Sequence, residues 1–363
     1  MSVTIETAPL ARAMKHAAAV VEGRNTIPIC GNVLLHAEGD TLELVTTNLD
    51  VEFRQSLPLT EGGELSTTVD ARRLYALAQA AGNGSQLKLE MDGQQLAVKN
   101  GRSRWKMPVL PASDFPNMPF DGDPVELVLA GAQLSSMFGR VMWSVSTEQT
   151  RYYLQGPLLH AEEGSMALAA TDGSTLMRCV SSVKYPDDAP EIILMPKFCR
   201  LAETLAAEAE SVKLEWDDAK IRATIGDIAL TAKVIDGTFP QYRRVIPPLS
   251  DGPVSVDPEP LRAAIRKSMV LSDDKTNCIK VERAADKLLL STVSPGNGES
   301  QSEQPAECSE GFAAGFNAKF LDAMLDAIGG DSVVIHQADE RAPARFQRVV
   351  DDGSLGIVMP MRI

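Results

Sequence analysis

The sequence predicts an α+β chain of three similar domains, each with two helices and antiparallel sheet. Three observations carry this. The pentapeptide LLHAE occurs at 34–38 and again at 158–162, 124 positions later. Its surroundings keep step: Val33/Pro157, Leu42/Met166, Leu44/Leu168 and Thr47/Thr171 hold the same offset, and Asn48/Asp172 extend it. Farther along, LKLEMD (87–92) falls almost opposite VKLEWD (212–217), and DFP (114–116) opposite TFP (238–240). A fainter third copy puts Ile279, Val281, Leu288 and Thr292 about where Val33, Leu35, Leu42 and Thr46 stand, with SVVIH (332–336) repeating the later strand. Each unit is about 120 residues, a common domain size. The expected boundaries are 1–122, 123–249 and 250–363.

Each unit opens with a short alternating stretch and then a helix with apolar residues at three- and four-residue intervals. These are PLARAMKHAAAVV from Pro9, GAQLSSMFGRVMWSV from Gly131 and EPLRAAIRKSMVL from Glu259. Alternating strands follow, and then a second helix: DARRLYALAQAAG from Asp70, PKFCRLAETLAAEA from Pro196 and NAKFLDAMLDAIGG from Asn317. Further strands such as QLAVKNGRSRWKMPVL and KIRATIGDIALTAKVI close each unit. Linkers are expected at 120–124 and 247–253, where Pro, Gly and Asp cluster. The polar run 294–311, SPGNGESQSEQPAECSEG, reads as a mobile surface loop of the third unit.

With 363 residues and 44% hydrophobic content, the chain has enough apolar material for two or three ordinary cores. It carries no run of the ~18 apolar residues that a membrane span needs and no secretory leader, so the expected location is the cytoplasm and no membrane partner is expected. Five scattered cysteines with no C-x-x-C suit reduced thiols and no metal site. No phosphate-binding, dinucleotide-binding, zinc-protease or nucleophile-elbow motif is present. His16, His36, His160 and His336 are far apart, and His36 and His160 read as equivalent structural strand positions. The acidic pairs Asp187/Asp188 and Asp273/Asp274 read as turns.

A formal charge of −14 argues, at face value, against nucleic acid. The distribution points the other way. The helical stretches carry Arg12, Lys15, Arg72, Arg73, Arg140, Lys197, Arg200, Arg262, Arg266, Lys267 and Lys319 against Glu203, Glu208, Asp322 and Asp326. Repeats place equivalent faces on one side, so the six helices together read as one basic surface on an acidic body.

In GRNTIPICGNVLL (23–35), GRSRW (101–105), DFPNMP (114–119), STEQTRYYLQG (146–156), ATDG (170–173), DGTFPQYRRVIP (236–247) and the terminal VMPMRI, the chain resembles the bacterial sliding clamps, the beta subunits of DNA polymerase III. The resemblance runs in order along the whole length. It implies the DNA-clamp fold and a head-to-tail homodimer closing a ring around duplex DNA, with helices lining the hole and sheets outside. The implied function is that of a processivity factor, not an enzyme, with no cofactor or metal. Implied partners are double-stranded DNA regardless of sequence, the polymerase III catalytic subunit and the clamp loader. Other proteins with clamp-binding motifs, namely repair polymerases, ligase and mismatch-repair proteins, complete the set.

The resemblance turns Arg24, Arg72, Tyr152, Tyr153 and Lys197 toward DNA. It assigns a partner-peptide pocket to Arg151, Leu154, Thr171, Gly173, Leu176, Pro240, Arg244 and Val245, together with Asn317, Phe320, Met359, Pro360, Met361 and Arg362. Aliphatic and Met side chains suit an adaptable apolar trough, and Arg at its rim suits carboxylate or backbone oxygen. Ring closure would pair Arg73, Leu74, Leu77, Trp105 and Met107 with Val270 and Leu271 of a second subunit. The chain departs from the family after ATDG, where Ser174-Thr175 replaces the usual His-Arg, at Thr276-Asn277, and in MPKF, which has one basic residue where two are common. An accessory clamp and a monomeric adaptor that keeps the fold without the ring stay open as alternatives at this point.

Overall fold

The three repeats run through one order of elements, eight strands and two helices each. The computed structural model describes every residue except Met1, Asn25, Asp121, Asp274 and Asp351. The first repeat comprises β1 (Ser2–Glu6), α1 (Thr7–Val20), β2 (Asn32–Glu38), β3 (Thr41–Thr47), β4 (Val51–Pro58), β5 (Leu65–Asp70), α2 (Ala71–Ala81), β6 (Gln86–Asp92), β7 (Gln95–Asn100) and β8 (Ser103–Leu110). The second comprises β9 (Val125–Ala130), α3 (Gly131–Val141), β10 (Leu158–Glu162), β11 (Ser165–Thr171), β12 (Thr175–Lys184), β13 (Ile192–Leu194), α4 (Pro196–Ala206), β14 (Ser211–Trp216), β15 (Lys220–Ile225) and β16 (Ile228–Ile235). The third comprises β17 (Val254–Val256), α5 (Pro258–Met269), β18 (Cys278–Ala284), β19 (Lys287–Ser294), β20 (Gly298–Pro305), β21 (Ala313–Asn317), α6 (Ala318–Ile328), β22 (Val333–His336), β23 (Ala344–Arg348) and β24 (Ser354–Val358). The repeated LLHAE is the whole of β10 and the last five residues of β2.

The helices form where apolar spacing and capping agree. On α1, Leu10, Ala13, Met14, Ala17 and Val20 are buried while Arg12 and Lys15 stay exposed. The Asp70 carboxylate accepts the Arg73 N–H at 2.8 Å and starts α2; losing such a cap typically costs about 1 kcal/mol. Asn317 does the same for α6, accepting from Lys319 N at 2.9 Å. Asp257 caps α5, with Pro258 in its first turn.

The chain divides into two compact units, Met1–Ser135 with Lys197–Val234, and Ser136–Pro196 with Ile235–Ile363, so the middle repeat contributes to both. In the first unit an antiparallel sheet runs β8-β5-β2-β3-β4-β16-β15-β14-β9. A second sheet there runs β1-β6-β7-β8. The second unit repeats the scheme with β13-β10-β11-β12-β24-β23-β22-β17 and β21-β18-β19-β20. In each unit, therefore, two repeats join edge to edge, through β4 and β16 in one and β12 and β24 in the other. Phe53 faces Leu230 across the first join and Leu176 faces Ile357 across the second. At Gly356 a Cβ would lie 2.0 Å from Met324 Sδ, so α6 rests directly on β24 and glycine is required there.

One expectation is overturned. The polar run 294–311 is not a loop throughout: residues 298–305 form β20, in full register with β19 from Lys287↔Pro305 to Ser294↔Gly298. Backbone hydrogen bonds need no apolar side chains, and at an edge only one face is buried, so Ser, Gln and Glu satisfy the strand. Asp187 and Asp188 lie in a turn, and Asp273 accepts from the N–H groups of Lys275 and Thr276; Asp274 lies outside the described residues. Among the described residues no helix is long and apolar enough to cross a membrane, and no cluster of His, Cys, Asp and Glu is arranged to hold a metal.

Candidate functional site

In the first unit, Arg72 and Lys197 converge on the C-terminal end of α1 and the residues just after it. Arg72 donates to the Val21 carbonyl at 3.0 Å. Lys197 donates to the Val20 carbonyl at 2.7 Å and forms an ion pair with Glu22. The hydrogen bond from Lys197, and then that from Asn48, holds the Glu22 carboxyl below its usual range. Arg24 is exposed two residues farther on. In the second unit Tyr152 is half exposed and meets Tyr153 edge to face at 5.7 Å.

The basic helix surface is thinner than the sequence suggests. Arg262, 9% exposed, is bonded to Glu259, Asp322 and Asp326, and Arg266 shares Asp322. Arg140 is taken by Asp352 and Ser354. These three cations serve packing between elements. Arg12, Lys15, Arg73, Arg200, Lys267 and Lys319 are exposed.

Also in the second unit, an open apolar trough of about 410 Å³ is built on a hydrophobic cluster of Leu154, Leu158, Leu176, Phe239, Tyr242 and Ile357. Leu176 of β12 and Ile357 of β24, paired in register, make its floor. Pro240, Tyr242 and the 57% exposed Val245 form one wall, and the exposed Met359 ends the trough. Arg151 stands at the rim, its Nε donating to Glu148 at 2.7 Å. The Thr150 hydroxyl, followed by Arg151, keeps that carboxyl below its ordinary value. Gly173 adopts φ +92°, and a Cβ there would meet the Arg151 guanidinium at 2.8 Å, so glycine keeps the rim open.

The two residues that depart from the family pattern differ in placement. Ser174 is exposed at the trough, and its carbonyl accepts the Met359 N–H at 2.9 Å. Thr175 is 2% exposed, 2.8 Å from the Ser144 hydroxyl and 3.0 Å from Asp172.

Of the residues that the resemblance assigns to the pocket, Arg151, Leu154, Thr171, Gly173, Leu176, Pro240, Val245 and Met359 line this trough. Pro360, Met361 and Arg362 instead line a separate hollow with Ala313, Ala314 and Gly315, where Met361 N–H bonds to the Gly315 carbonyl at 2.8 Å. Asn317 is occupied as the cap of α6, and neither it, Phe320 nor Arg244 lines the trough. Gln241, Tyr242 and Ile357 are lining residues that sequence reasoning missed, and Tyr153, which the resemblance turns toward DNA, lines the trough as well. The period-two pattern of β24 was the available signal for Ile357.

Among the residues expected at a subunit interface, Arg73 and Val270 are exposed, Leu77, Trp105 and Leu271 are half-buried, and Met107 is 5% exposed. Leu74 is a correction: with no exposed surface it is a core residue of α2 and cannot face a second chain directly.

Comparison with known proteins gives one family. The models for the N-terminal, central and C-terminal domains of the DNA polymerase III beta subunit match residues 1–119, 128–241 and 243–362. The beta sliding clamps of Pseudomonas aeruginosa and Caulobacter vibrioides are 32% and 33% identical to the chain, each covering 100% of both sequences. A crystal structure of the DNA polymerase III subunit beta from Pseudomonas aeruginosa superposes with a TM-score of 0.94 at 32% identity, over 100% of both chains. The clamp of Bartonella birtlesii, solved bound to griselimycin, gives a TM-score of 0.96 at 28% identity, again over 100% of both chains. The chain, with its three matched domains, belongs to the DNA polymerase III beta subunit family, the bacterial sliding clamps.

Proposed function

We propose that two copies of this chain close a ring around duplex DNA and act as a processivity factor that tethers the replicative polymerase. The reading rests most on one observation: the edge-to-edge join of repeats occurs twice, β4 to β16 and β12 to β24, and a third instance is left open. Its two halves are β20 and the 103–108 part of β8, whose outer edges have no strand partner among the described residues. A β20 edge on one copy and a β8 edge on another complete the series, and doing so twice closes a ring of six repeats.

The register follows from the first join, where Thr231 faces Glu52 and Leu230 faces Phe53. Carried over repeat by repeat, Lys106 falls opposite Glu299 of the second copy and Trp105 opposite Ser300. The outward charges are complementary, and Trp105 and Met107 lie on the inward face with Val270 and Leu271 as their expected neighbours.

Arg24, Arg72, Lys197 and the exposed helix cations are assigned to phosphates, which carry no sequence information and so permit sliding. The trough is assigned to short peptides of the polymerase III catalytic subunit, the clamp loader and other clamp-binding proteins, including repair polymerases, ligase and mismatch-repair proteins. The domain limits are proposed as 1–122, 123–249 and 250–363, and the working location as the cytoplasm. The chain supplies topology and docking and performs no reaction itself. Sedimentation at micromolar concentration tests the ring: a mass twice 39.1 kDa is expected, and a species that stays at the single-chain mass contradicts it.

A further inference from the structure

We propose that His160, beneath the trough, is a positioning residue for peptide binding: it holds Tyr242 and thereby sets the wall that carries Val245. The inference rests on the trough being the peptide site. His160 lies on β10 with no exposed surface, and Tyr242 is 3% exposed. Their polar atoms satisfy each other, with Tyr242 Oη 3.1 Å from Nε2. Nδ1 is 2.8 Å from the Ala161 carbonyl, which assigns the ring proton to Nδ1 and leaves Nε2 to accept the phenol proton.

The turn Tyr242–Val245 is oriented besides by Phe239, whose ring meets that of Tyr242 edge to face at 6.4 Å, by its own backbone and by Arg243. At this turn the backbone bonds run from Tyr242 N to Pro240 O at 2.7 Å, from Arg244 N to Gln241 O at 3.1 Å and from Ile246 N to Arg243 O at 3.4 Å. Arg243, the next residue, reaches the same strand, with Nε donating to Glu162 at 2.7 Å and a terminal nitrogen to the Ala161 carbonyl at 2.8 Å. The other oxygen of Glu162 accepts from Arg178 of β12, two residues beyond Leu176 on the floor. Strand β10 thus ties wall and floor together through His160 and Glu162.

The first repeat shows that the arrangement is particular to this site. His36, the equivalent of His160, is exposed on β2. There DFPNM replaces TFPQY and puts Met118 where Tyr242 stands; Met118 contacts the Thr47 hydroxyl at 3.7 Å and needs no imidazole. Among the described residues, it is in the second repeat that a phenol meets the ring.

The arrangement also requires a neutral imidazole. The groups facing His160 are Tyr242, Arg243, Glu162 and, farther off, Glu191. Burial, with the charge of Arg243, outweighs the Ala161 bond and the two carboxylates and keeps the ring from protonating until pH falls below the ordinary imidazole range. A protonated Nε2 would present N–H to the phenol oxygen and force its proton toward Glu162, 3.4 Å away.

The test is a fluorescence-anisotropy titration of a labelled peptide from the clamp-binding segment of the polymerase III catalytic subunit. It is run at pH 7.5, 6.5 and 5.5 against the full chain and the variants Tyr242→Phe, His160→Phe and the double variant. Each single variant is expected to bind about three- to tenfold more weakly at pH 7.5, the worth of one net hydrogen bond. The double variant should be no weaker than the singles, and the wild-type loss of affinity toward pH 5.5 should vanish in His160→Phe. Wild-type affinity and pH profile in both singles, or additive losses in the double, would overturn the proposal. If His160→Phe does not fold, Tyr242→Phe, which removes one oxygen, decides alone. Val245→Asp separates the two readings: if it binds as wild type, the trough is not the peptide site, whereas if it abolishes binding and Tyr242→Phe does not weaken it, only the positioning role fails.

Discussion

Lys197 and Glu22 form an ion pair at the end of α1, and the same ammonium caps the Val20 carbonyl at 2.7 Å. A cation assigned to phosphate is therefore already partly neutralised inside its own chain.

This pair gives the first prediction. Glu22→Gln should strengthen retention on DNA, because it removes a carboxylate from the phosphate path and frees Lys197. Arg24→Glu combined with Lys197→Glu should weaken retention and leave peptide binding intact. The readout is the dependence of DNA affinity on salt, where each phosphate contact contributes a slope of about −0.9. Unchanged affinity in Glu22→Gln would show that the pair lies away from the DNA.

The second prediction concerns the open strand edges. Lys106→Glu should weaken dimerisation by about two- to fivefold, the scale of one cross-strand pair, and adding Glu299→Lys should restore it. The effect stays modest because Asp92 already holds Lys106 at 2.7 Å and Arg104 at 2.8 Å within the chain. Sedimentation of the two variants measures it. Failure of the second change to rescue the first would mean that the register differs from that of the inner joins.

Third, Val245→Asp and deletion of residues 359–363 should each cost peptide binding about 2 kcal/mol or more, the scale of a hot-spot loss. The deletion also strips the Met361 bond from Gly315, so the point variant is the cleaner probe. Ser174→His should alter which peptides bind best, since Ser174 is exposed at the trough. A cation at Thr175 should instead lower stability, because that side chain is buried against Ser144. Peptide titration and thermal melts distinguish the two positions.

Stability should fall as pH drops below the ordinary imidazole value of 6.5. Burial lowers the folded-state pKa of His160, His16 and His336, so the unfolded chain binds protons first, and stability is lost from that value down through the folded ones. Glu162 adds a loss at lower pH. Its burial alone would raise its pKa, but the Arg243 bond and the charge of Arg178 more than offset this, so its stabilisation is present above 4.5 and lost as pH falls through the folded value. Urea unfolding at pH 7.5 and 5.5 measures the slope, and His160→Phe should reduce it without abolishing it.

The repeats and all six helices were legible because they rest on local spacing: Leu10, Met14 and Ala17 recur at helical intervals whatever surrounds them. Strand β20 was not, since its partner and not its composition makes it a strand. Leu74 shares its helix with exposed Arg73, and only packing tells which side of α2 each takes. The Lys197–Glu22 pair and the His160–Tyr242 contact join residues far apart in the chain, and no pattern within either segment announces the other. The trough was legible in its outline, through Leu176, Val245 and Met359. Its terminal residues were not, because the bond of Met361 to Gly315 diverts them to another hollow.

The most direct test of the ring is retention on circular against linear DNA. The chain is loaded onto a nicked plasmid by the cognate clamp loader with ATP, the free protein is removed, and the bound fraction is followed before and after a single restriction cut. Slow loss from the circle and rapid loss after the cut are expected, because a closed ring leaves only by a DNA end. Equal rates of loss from the two forms would contradict encirclement.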